Sequence, residues 1–129
     1  MKILIIGGAG FIGSVLVKEM LQDNADIIVI DKLSLGSADY IDTTKVEFHQ
    51  IDINNIEQVL EMLQGKEIDE VWHLAANSDI PAGVEDMNVD LDDTFMSTVS
   101  TLKMMKKIGC KKLYFASSSA VYGFNENRL

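Results

Sequence analysis

The residues with the clearest chemical potential form a glycine-rich run at positions 7–13, GGAGFIG, directly after four aliphatic residues. Gly8, Gly10 and Gly13 have the spacing G-x-G-x-x-G, and counting from Gly7 also gives G-x-x-G-x-x-G. Positions without a Cβ permit a tight strand-to-helix turn, close approach of the backbone to a pyrophosphate and close packing of the helix on the sheet. The N–H groups at the start of that helix then face the phosphates. The run predicts a nucleotide-binding loop, and a purely structural turn is the alternative.

An acidic residue lies where such a loop needs one. Asp31 ends the apolar run 27–30 and comes 18 residues after Gly13. A carboxylate at the end of the second strand accepts hydrogen bonds from the adenosine ribose hydroxyls and repels a 2′-phosphate. We therefore predict NAD rather than NADP as the cofactor, although the neighbouring Lys32 weakens the exclusion of NADP. An exposed turn aspartate is the alternative interpretation.

These residues require a scaffold, and the chain has short aliphatic runs separated by helical stretches, as in a parallel sheet covered by helices. Strands are predicted at 3–6, 27–30, 46–51, 71–74 and 112–116. Parallel strands are buried on both faces, which explains why these runs are continuously apolar. The predicted fold class is α/β, a Rossmann-type doubly wound parallel sheet of about five strands with helices on both faces.

Three helices are predicted between the strands, at 10–22, from Asn54 or Asn55 to residue 63, and at 89–108. The segment around Pro81 is expected to be a loop. The helical period places one apolar stripe of the first helix against the sheet. Its members are Phe11, Val15, Leu16 and Met20.

Composition excludes several classes of protein. A chain of 129 residues with 47% apolar and 24% charged residues is the size of one compact domain. Cys110 is the only cysteine, so no disulfide forms within the chain, and a buried, inert thiol is expected. A net charge of −9 disfavours nucleic acid and anionic membranes as partners. No signal peptide or membrane span is recognisable, which predicts a cytoplasmic protein.

Five segments together resemble the NAD-dependent epimerase/dehydratases, a family of extended short-chain dehydrogenase/reductases. They are residues 7–13, 31–36, 52–53, 73–76 and 115–123. Their order along nearly the whole chain makes the resemblance specific. It implies NAD as cofactor and a nucleotide-sugar substrate, with transient oxidation of a sugar hydroxyl by bound NAD and return of the hydride. No metal site is predicted.

The resemblance also implies which residues contact the cofactor. They are Gly7, Gly10, Phe11, Ile12, Gly13, Asp31, Lys32, Ser34, Asp52, Ile53, Leu74, Ala75, Ala76 and Thr94. In the family pattern, positions 11 and 12 lie against the pyrophosphate, positions 31 and 34 near the ribose and positions 52 and 53 at adenine. Positions 74–76 pass under the cofactor. Two residues depart from the pattern: Thr94 replaces a cofactor-contacting asparagine of many relatives, and Ser97 replaces a frequent glycine.

Ser118 matches the catalytic Ser/Thr of the family, which hydrogen-bonds the reacting sugar hydroxyl. A serine-rich turn at a strand end is the alternative. The proton acceptor in this family is the tyrosine of a later Tyr-x-x-x-Lys, and no tyrosine of this chain has lysine four residues on. Tyr122, for example, is followed by Glu126 at that spacing. We interpret His73 as a core histidine with satisfied hydrogen bonds rather than as a catalyst.

The resulting prediction is the NAD-binding portion of a nucleotide-sugar epimerase-like enzyme, inactive alone. Residues 1–129 are expected to form one NAD-binding domain that ends at the polar residues 125–129, before the proton acceptor and the substrate domain. Ser119 and Ala120 supply no acid after Ser118, which favours an epimerase over a dehydratase. A dehydratase or reductase of the same family remains an alternative, as does a non-catalytic NAD-binding or redox-sensing module. The family also implies a homodimer through helix 89–108, with burial in the chain's own core as the alternative.

Overall fold

Five parallel strands form a single sheet. The computed structural model describes residues 1–123, so the polar segment predicted at 125–129 lies outside the described residues. The strands are β1 (Lys2–Ile6), β2 (Asp26–Asp31), β3 (Glu47–Gln50), β4 (Glu70–His73) and β5 (Leu113–Phe115). They lie in the order β3-β2-β1-β4-β5. All pairs are parallel, and the connections reverse direction between β3 and β4, as in a doubly wound sheet. The predicted fold class is confirmed.

The helices differ from the prediction in the second half of the chain. They are α1 (Phe11–Gln22), α2 (Ile56–Met62), α3 (Ile80–Glu85), α4 (Met87–Asp90), a π-helical segment (Leu91–Met96) and α5 (Ser97–Ile108), with 3₁₀ turns at Ala38–Tyr40 and Ser119–Tyr122. The helix predicted at 89–108 is therefore α4, the π-helical segment and α5 in succession. Among residues 1–123, no helix combines the length and apolar composition needed to cross a bilayer.

The segment around Pro81 is helical, which corrects the expected loop. Asp79 caps α3, its carboxylate accepting a hydrogen bond from the backbone N–H of Ala82 at 3.2 Å. Pro81 lies in the first turn of α3, where the missing N–H of proline leaves no hydrogen bond unmade. An aspartate two residues before the proline was thus a helix-start signal.

The core has two layers, one on each side of the sheet. Because side chains alternate along a strand, Leu4 and Ile6 face α2 and α5, and Ile3 and Ile5 face α1. Val59 of α2 and Met104 of α5 belong to the first layer. The buried thiol of Cys110 lies at the edge of the same layer, which confirms its predicted burial.

The apolar stripe predicted for α1 is wrong at Phe11 and Val15, although Met20 packs against the core as predicted. Phe11 and Val15 are 85% and 54% exposed, whereas Gly13 and Val17 are buried. The buried face of α1 therefore contains Gly13 and Val17 and continues one turn later with Met20 and Leu21, which are partly buried. A glycine contributes nothing to an apolar pattern, yet it allows the closest approach, so the pattern alone selected the wrong face.

We predict that Gly13→Ala destabilises the fold by about 1–3 kcal/mol, since a Cβ at this position would lie 2.3 Å from the Gly7 carbonyl oxygen. Gly10→Ala is the matched control, because a Cβ there would lie 3.4 Å from the same oxygen and its φ of −77° suits alanine. Its expected loss is below about 1 kcal/mol. Urea denaturation measures both losses, and equal values would contradict this account.

Candidate functional site

The predicted site residues converge on one edge of the sheet. Each of the five parallel strands ends at this edge, and in open α/β sheets ligands bind outside these carboxyl ends. The glycine-rich run follows β1, Asp31 ends β2, Asp52 follows β3, and Leu74 follows β4. Ser118 comes three residues after the end of β5.

The glycine loop separates structural from ligand-facing positions. Gly7 has φ +82°, and a Cβ there would lie 2.6 Å from the backbone nitrogen of Ala75. Side chains at Gly8 and Gly13 would also clash with the protein itself. At Gly10, by contrast, the protein leaves room for a Cβ. A structural turn accounts for Gly7, Gly8 and Gly13. The turn does not require a glycine at Gly10, where close approach of a ligand is the predicted reason.

The start of α1 provides donors for an anion. Gly10 is the N-cap and supplies no side-chain acceptor, and the helix begins with the hydrogen bond from Ser14 N–H to the Gly10 carbonyl at 2.9 Å. The N–H groups of the first turn have no acceptor within a helix, and the helix dipole favours an anion there. The Phe11 and Ile12 side chains are exposed, and the contacts predicted for these two residues stay predictions.

Asp31 links the glycine loop to the loop after β2. Its Oδ2 accepts a hydrogen bond from the Ala9 N–H at 2.9 Å, and its Oδ1 accepts one from the Leu33 N–H at 2.8 Å. Leu33 has φ +61°, an unusual conformation for leucine that the second hydrogen bond holds. Each carboxylate oxygen keeps a further lone pair. The acid predicted for the ribose thus lies directly beside the loop predicted for the pyrophosphate.

The rest of the loop after β2 packs on the same turn. Ser37 N–H donates to the Ala9 carbonyl at 3.1 Å, and a Cβ at Gly36 would lie 2.6 Å from that carbonyl oxygen. Ser34, within this loop, is exposed. The ammonium of Lys32 reaches across to the carboxylate of Asp93 in the π-helical segment.

The end of β3 combines an acid at the sheet edge with a core residue. Asp52 Oδ1 accepts a hydrogen bond from the Asn54 N–H at 2.8 Å, whereas the Ile53 side chain is buried in the layer facing α2 and α5. Asn54, predicted only as a helix cap, donates to the Asp92 carbonyl at 3.0 Å and accepts from Ser100 Oγ at 2.8 Å. The helix N-cap is residue 55. No local pattern indicates this bridge, because its partners are far away in sequence.

The segment after β4 passes close to the glycine loop. Leu74 N–H donates to the Ile6 carbonyl at 2.8 Å, the Ala75 backbone meets the turn at position 7, and Ala76 is exposed. Asn77 N–H then donates to Oγ1 of Thr94 at 3.0 Å. The Thr94 hydroxyl therefore holds the β4 loop.

His73 is a satisfied core histidine, as predicted. Oγ1 of Thr101 lies 3.0 Å from Nδ1, and Oγ1 of Thr98 lies 3.3 Å from Nε2. Both hydroxyls also donate to backbone carbonyls one turn earlier, those of Ser97 and Thr94. The neutral ring has one N–H, so one nitrogen donates and the other accepts. Burial lowers the pKa of His73 from 6.5 to about 4. The side chain joins β4 to α5 and is neutral at physiological pH.

Ser118 lies at the same edge as the elements predicted to bind the nucleotide. β5 pairs with β4, and the Ala116 N–H donates to the His73 carbonyl at 3.1 Å. Ser118 is exposed, and its carbonyl accepts from the Val121 N–H at 3.3 Å. A separate cleft of about 700 Å³ between α1 and residues 39–45 contains none of the predicted site residues.

The sequence pattern of the NAD dependent epimerase/dehydratase family matches residues 3–128. The chain belongs to this family. The family description confirms the resemblance and confirms NAD as the family's cofactor. The roles of individual residues stay predictions.

Curated members of the family include similar proteins from distant organisms. The UDP-glucose 4-epimerase of Lactobacillus helveticus is 38% identical over 123 residues, which are 95% of this chain and 37% of the relative. A putative UDP-glucose 4-epimerase of Methanocaldococcus jannaschii is 38% identical over 122 residues, 94% of this chain and 39% of the relative. This family member thus spans less than half the length of these relatives.

Solved structures of the family share the fold. The Thermotoga maritima UDP-glucose 4-epimerase with UDP-glucose superposes with a TM-score of 0.92 at 29% identity, over 99% of this chain and 41% of that one. The Thermus thermophilus UDP-glucose 4-epimerase in complex with NAD gives a TM-score of 0.85 at 30% identity, over 92% of this chain and 38% of that one.

The burial of His73 predicts a pH-dependent stability. The unfolded chain binds a proton here below pH 6.5 and the folded chain only near pH 4, so the free energy of unfolding decreases as the pH falls through this window. We expect a loss of about 2 kcal/mol from this group between about pH 7 and pH 5. His73→Asn removes this contribution, as chemical denaturation at several pH values would show. His49→Asn, which removes the surface histidine, should keep it, and the same slope in both variants would refute the assignment.

Proposed function

We propose that this chain is the NAD-binding portion of a nucleotide-sugar epimerase. One observation carries the proposal: the Asp31 carboxylate lies 2.9 Å from the Ala9 N–H, inside the glycine loop and at the carboxyl edge of the sheet. Pyrophosphate and ribose are adjacent in a dinucleotide, and the groups suited to each are adjacent here.

The residues of the chain would divide the work of binding. The N–H groups at the start of α1 receive the pyrophosphate, Gly10 leaves room for it, and Asp31 accepts the ribose hydroxyls. Asp52 is the residue proposed for the adenine amine, as in the family pattern. Bound NAD supplies the hydride acceptor and donor for the sugar carbon.

Ser118 is the residue proposed to orient the sugar. Its hydroxyl would hydrogen-bond the reacting sugar hydroxyl, and its place after β5 supports this, because substrates meet the cofactor outside the carboxyl ends of the strands. Ser119 and Ala120 follow, and neither is an acid able to promote elimination. The names of the relatives support a uridine diphosphate hexose as substrate.

Deprotonation of the sugar hydroxyl requires a base. No tyrosine of the printed sequence has lysine four residues further on, so we propose that these 129 residues alone bind NAD without turnover. The same observation favours a second candidate, a non-catalytic NAD-binding module. The DNA sequence downstream of codon 129 distinguishes the two candidates. A continuing frame with Tyr-x-x-x-Lys supports the enzyme, and a stop codon supports the module.

We further propose a cytoplasmic protein that forms homodimers through the helical stretch 89–108. Phe95 and Leu102 support this, because they remain 60% and 51% exposed while Met104 and Met105 cover the sheet. Sedimentation as a monomer at high concentration would contradict the dimer.

The cofactor assignment is tested by Asp31→Asn, which removes the charge, keeps the size of the side chain and leaves one of the two oxygens that accept from Ala9 and Leu33. Its denaturation midpoint, compared with that of the unaltered chain, separates a loosened loop from a lost ribose contact. We expect NAD binding to weaken by about 1–3 kcal/mol, because hydrogen bonds from the ribose to a charged acceptor are lost. Asp26→Asn is the matched control, since Asp26 begins the same strand at the opposite edge of the sheet. Isothermal titration calorimetry measures both, and an unchanged dissociation constant in Asp31→Asn removes this residue from the site.

We expect Gly10→Ala to fold normally and to bind NAD at least tenfold more weakly, roughly the factor of one lost contact of about 1.4 kcal/mol. The reason is that its Cβ would occupy the space left for the pyrophosphate. The denaturation midpoint provides the control for folding. Normal NAD affinity in a folded Gly10→Ala protein would show that the dinucleotide does not cross this loop.

A further inference from the structure

The ion pair between Lys32 and Asp93 lies beside the proposed ribose position. Lys32 directly follows the proposed ribose acid, and its ammonium binds the Asp93 carboxylate from a segment 61 residues away. We propose that Asp93 is a specificity-determining residue, which keeps Lys32 from pairing with a 2′-phosphate and so maintains selectivity for NAD. This inference rests on the proposed function.

Lys32 is the group by which this site would accept NADP. The two cofactors differ only by the phosphate on the 2′-oxygen of the adenosine ribose, and a cation next to the ribose acid accommodates that phosphate. A lysine ammonium pairs with phosphate as a mobile point charge. Its proximity to Asp31 is therefore a weakness in a site selective for NAD, unless another group holds the ammonium.

The backbone of the loop after β2 is held by hydrogen bonds, so the Lys32 side chain is the part of this region that can change its partner. Hydrogen bonds from the N–H groups of Ala9 and Leu33 fix the carboxylate of Asp31 on one side, and the Ser37 N–H fixes the loop to Ala9 on the other. The Lys32 ammonium can therefore pair with any anionic group within reach of its flexible side chain, while the loop backbone stays in place.

Asp93 is held where it can compete for that ammonium. Its carbonyl accepts a hydrogen bond from Ser97 Oγ at 2.7 Å, and the Asp92 carbonyl accepts one from Asn54 at 3.0 Å, which ties the π-helical segment to the end of β3. The side chains of Lys32 and Asp93 are only 35% and 21% exposed. Solvent and salt screen such a pair less than a fully exposed one.

The experiment compares four forms of the chain: the unaltered protein, Asp93→Asn, Asp92→Asn, and Lys32→Met combined with Asp93→Asn. Asp92 is the matched control, because it is the adjacent acid, is exposed, and its loss changes the net charge equally. Calorimetry gives the dissociation constants for NAD and NADP, with NADP also measured by competition against NAD.

Asp93→Asn should tighten NADP binding about fivefold relative to NAD, the effect expected when a partly exposed lysine gains a phosphate partner. Asp92→Asn should leave the ratio of the two constants unchanged, and the gain should disappear in the Lys32→Met background. An unchanged ratio in Asp93→Asn, an equal gain in Asp92→Asn, or a gain that persists without Lys32 would each overturn the inference.

Failure of the proposed function gives a different result. If the unaltered chain shows a cooperative unfolding transition and binds neither NAD nor NADP, the cofactor site itself is wrong, and this inference with it. If NAD binds and Asp31→Asn weakens its binding, but the ratio of the NADP and NAD dissociation constants is unchanged in Asp93→Asn, only the inference about Asp93 is wrong.

Discussion

The contact of backbone on backbone around Gly7 is the constraint on which the rest of the site depends. A side chain at Gly7 would collide with Ala75, and one at Gly13 would collide with the Gly7 carbonyl. Absence of both side chains lets the turn after β1 lie against the segment after β4 and lets α1 start at the sheet edge. Because interiors are close-packed, this approach determines where the first helical N–H groups and the Ala9 N–H point.

Polar side chains at the sheet edge connect elements that the strands alone would leave independent. Asp31 joins the loop after β2 to the glycine loop, and Asn54 joins the end of β3 to the π-helical segment. His73 connects β4 to α5 through two threonine hydroxyls. A π-helical stretch shifts the register of side chains around a helix, and such stretches are frequent at functional sites. Here it presents Asp93 and Thr94 to the loops at the edge.

Electrostatics explains how an acidic chain can hold an anionic dinucleotide. The net charge of −9 repels such a ligand at long range, but that field is screened over about 8–10 Å at physiological salt. Helix N–H groups act at contact distance, where local partial charges outweigh the screened field. Lys32 is paired with Asp93 in this structure. Under the proposed function, recognition of the dinucleotide would therefore rely on backbone donors and on Asp31.

The sequence by itself determined the strands, their parallel arrangement, the glycine loop and the placement of Asp31, because these follow from local apolar runs and from residue types with specific backbone or ligand requirements. The sequence was less informative where the surroundings of an element decide which residues are buried or where a helix begins. The face of α1 was set by the close approach of Gly13, the helical turn at Pro81 by the Asp79 cap, and the burial of Ile53 by the helices packed on it. The side chain at position 54 hydrogen-bonds a carbonyl 38 residues later in the chain, and the side chain at position 93 pairs with a lysine 61 residues earlier. Only the tertiary structure could reveal them, since no pattern in a single sequence indicates which distant polar side chains will meet once the sheet has formed.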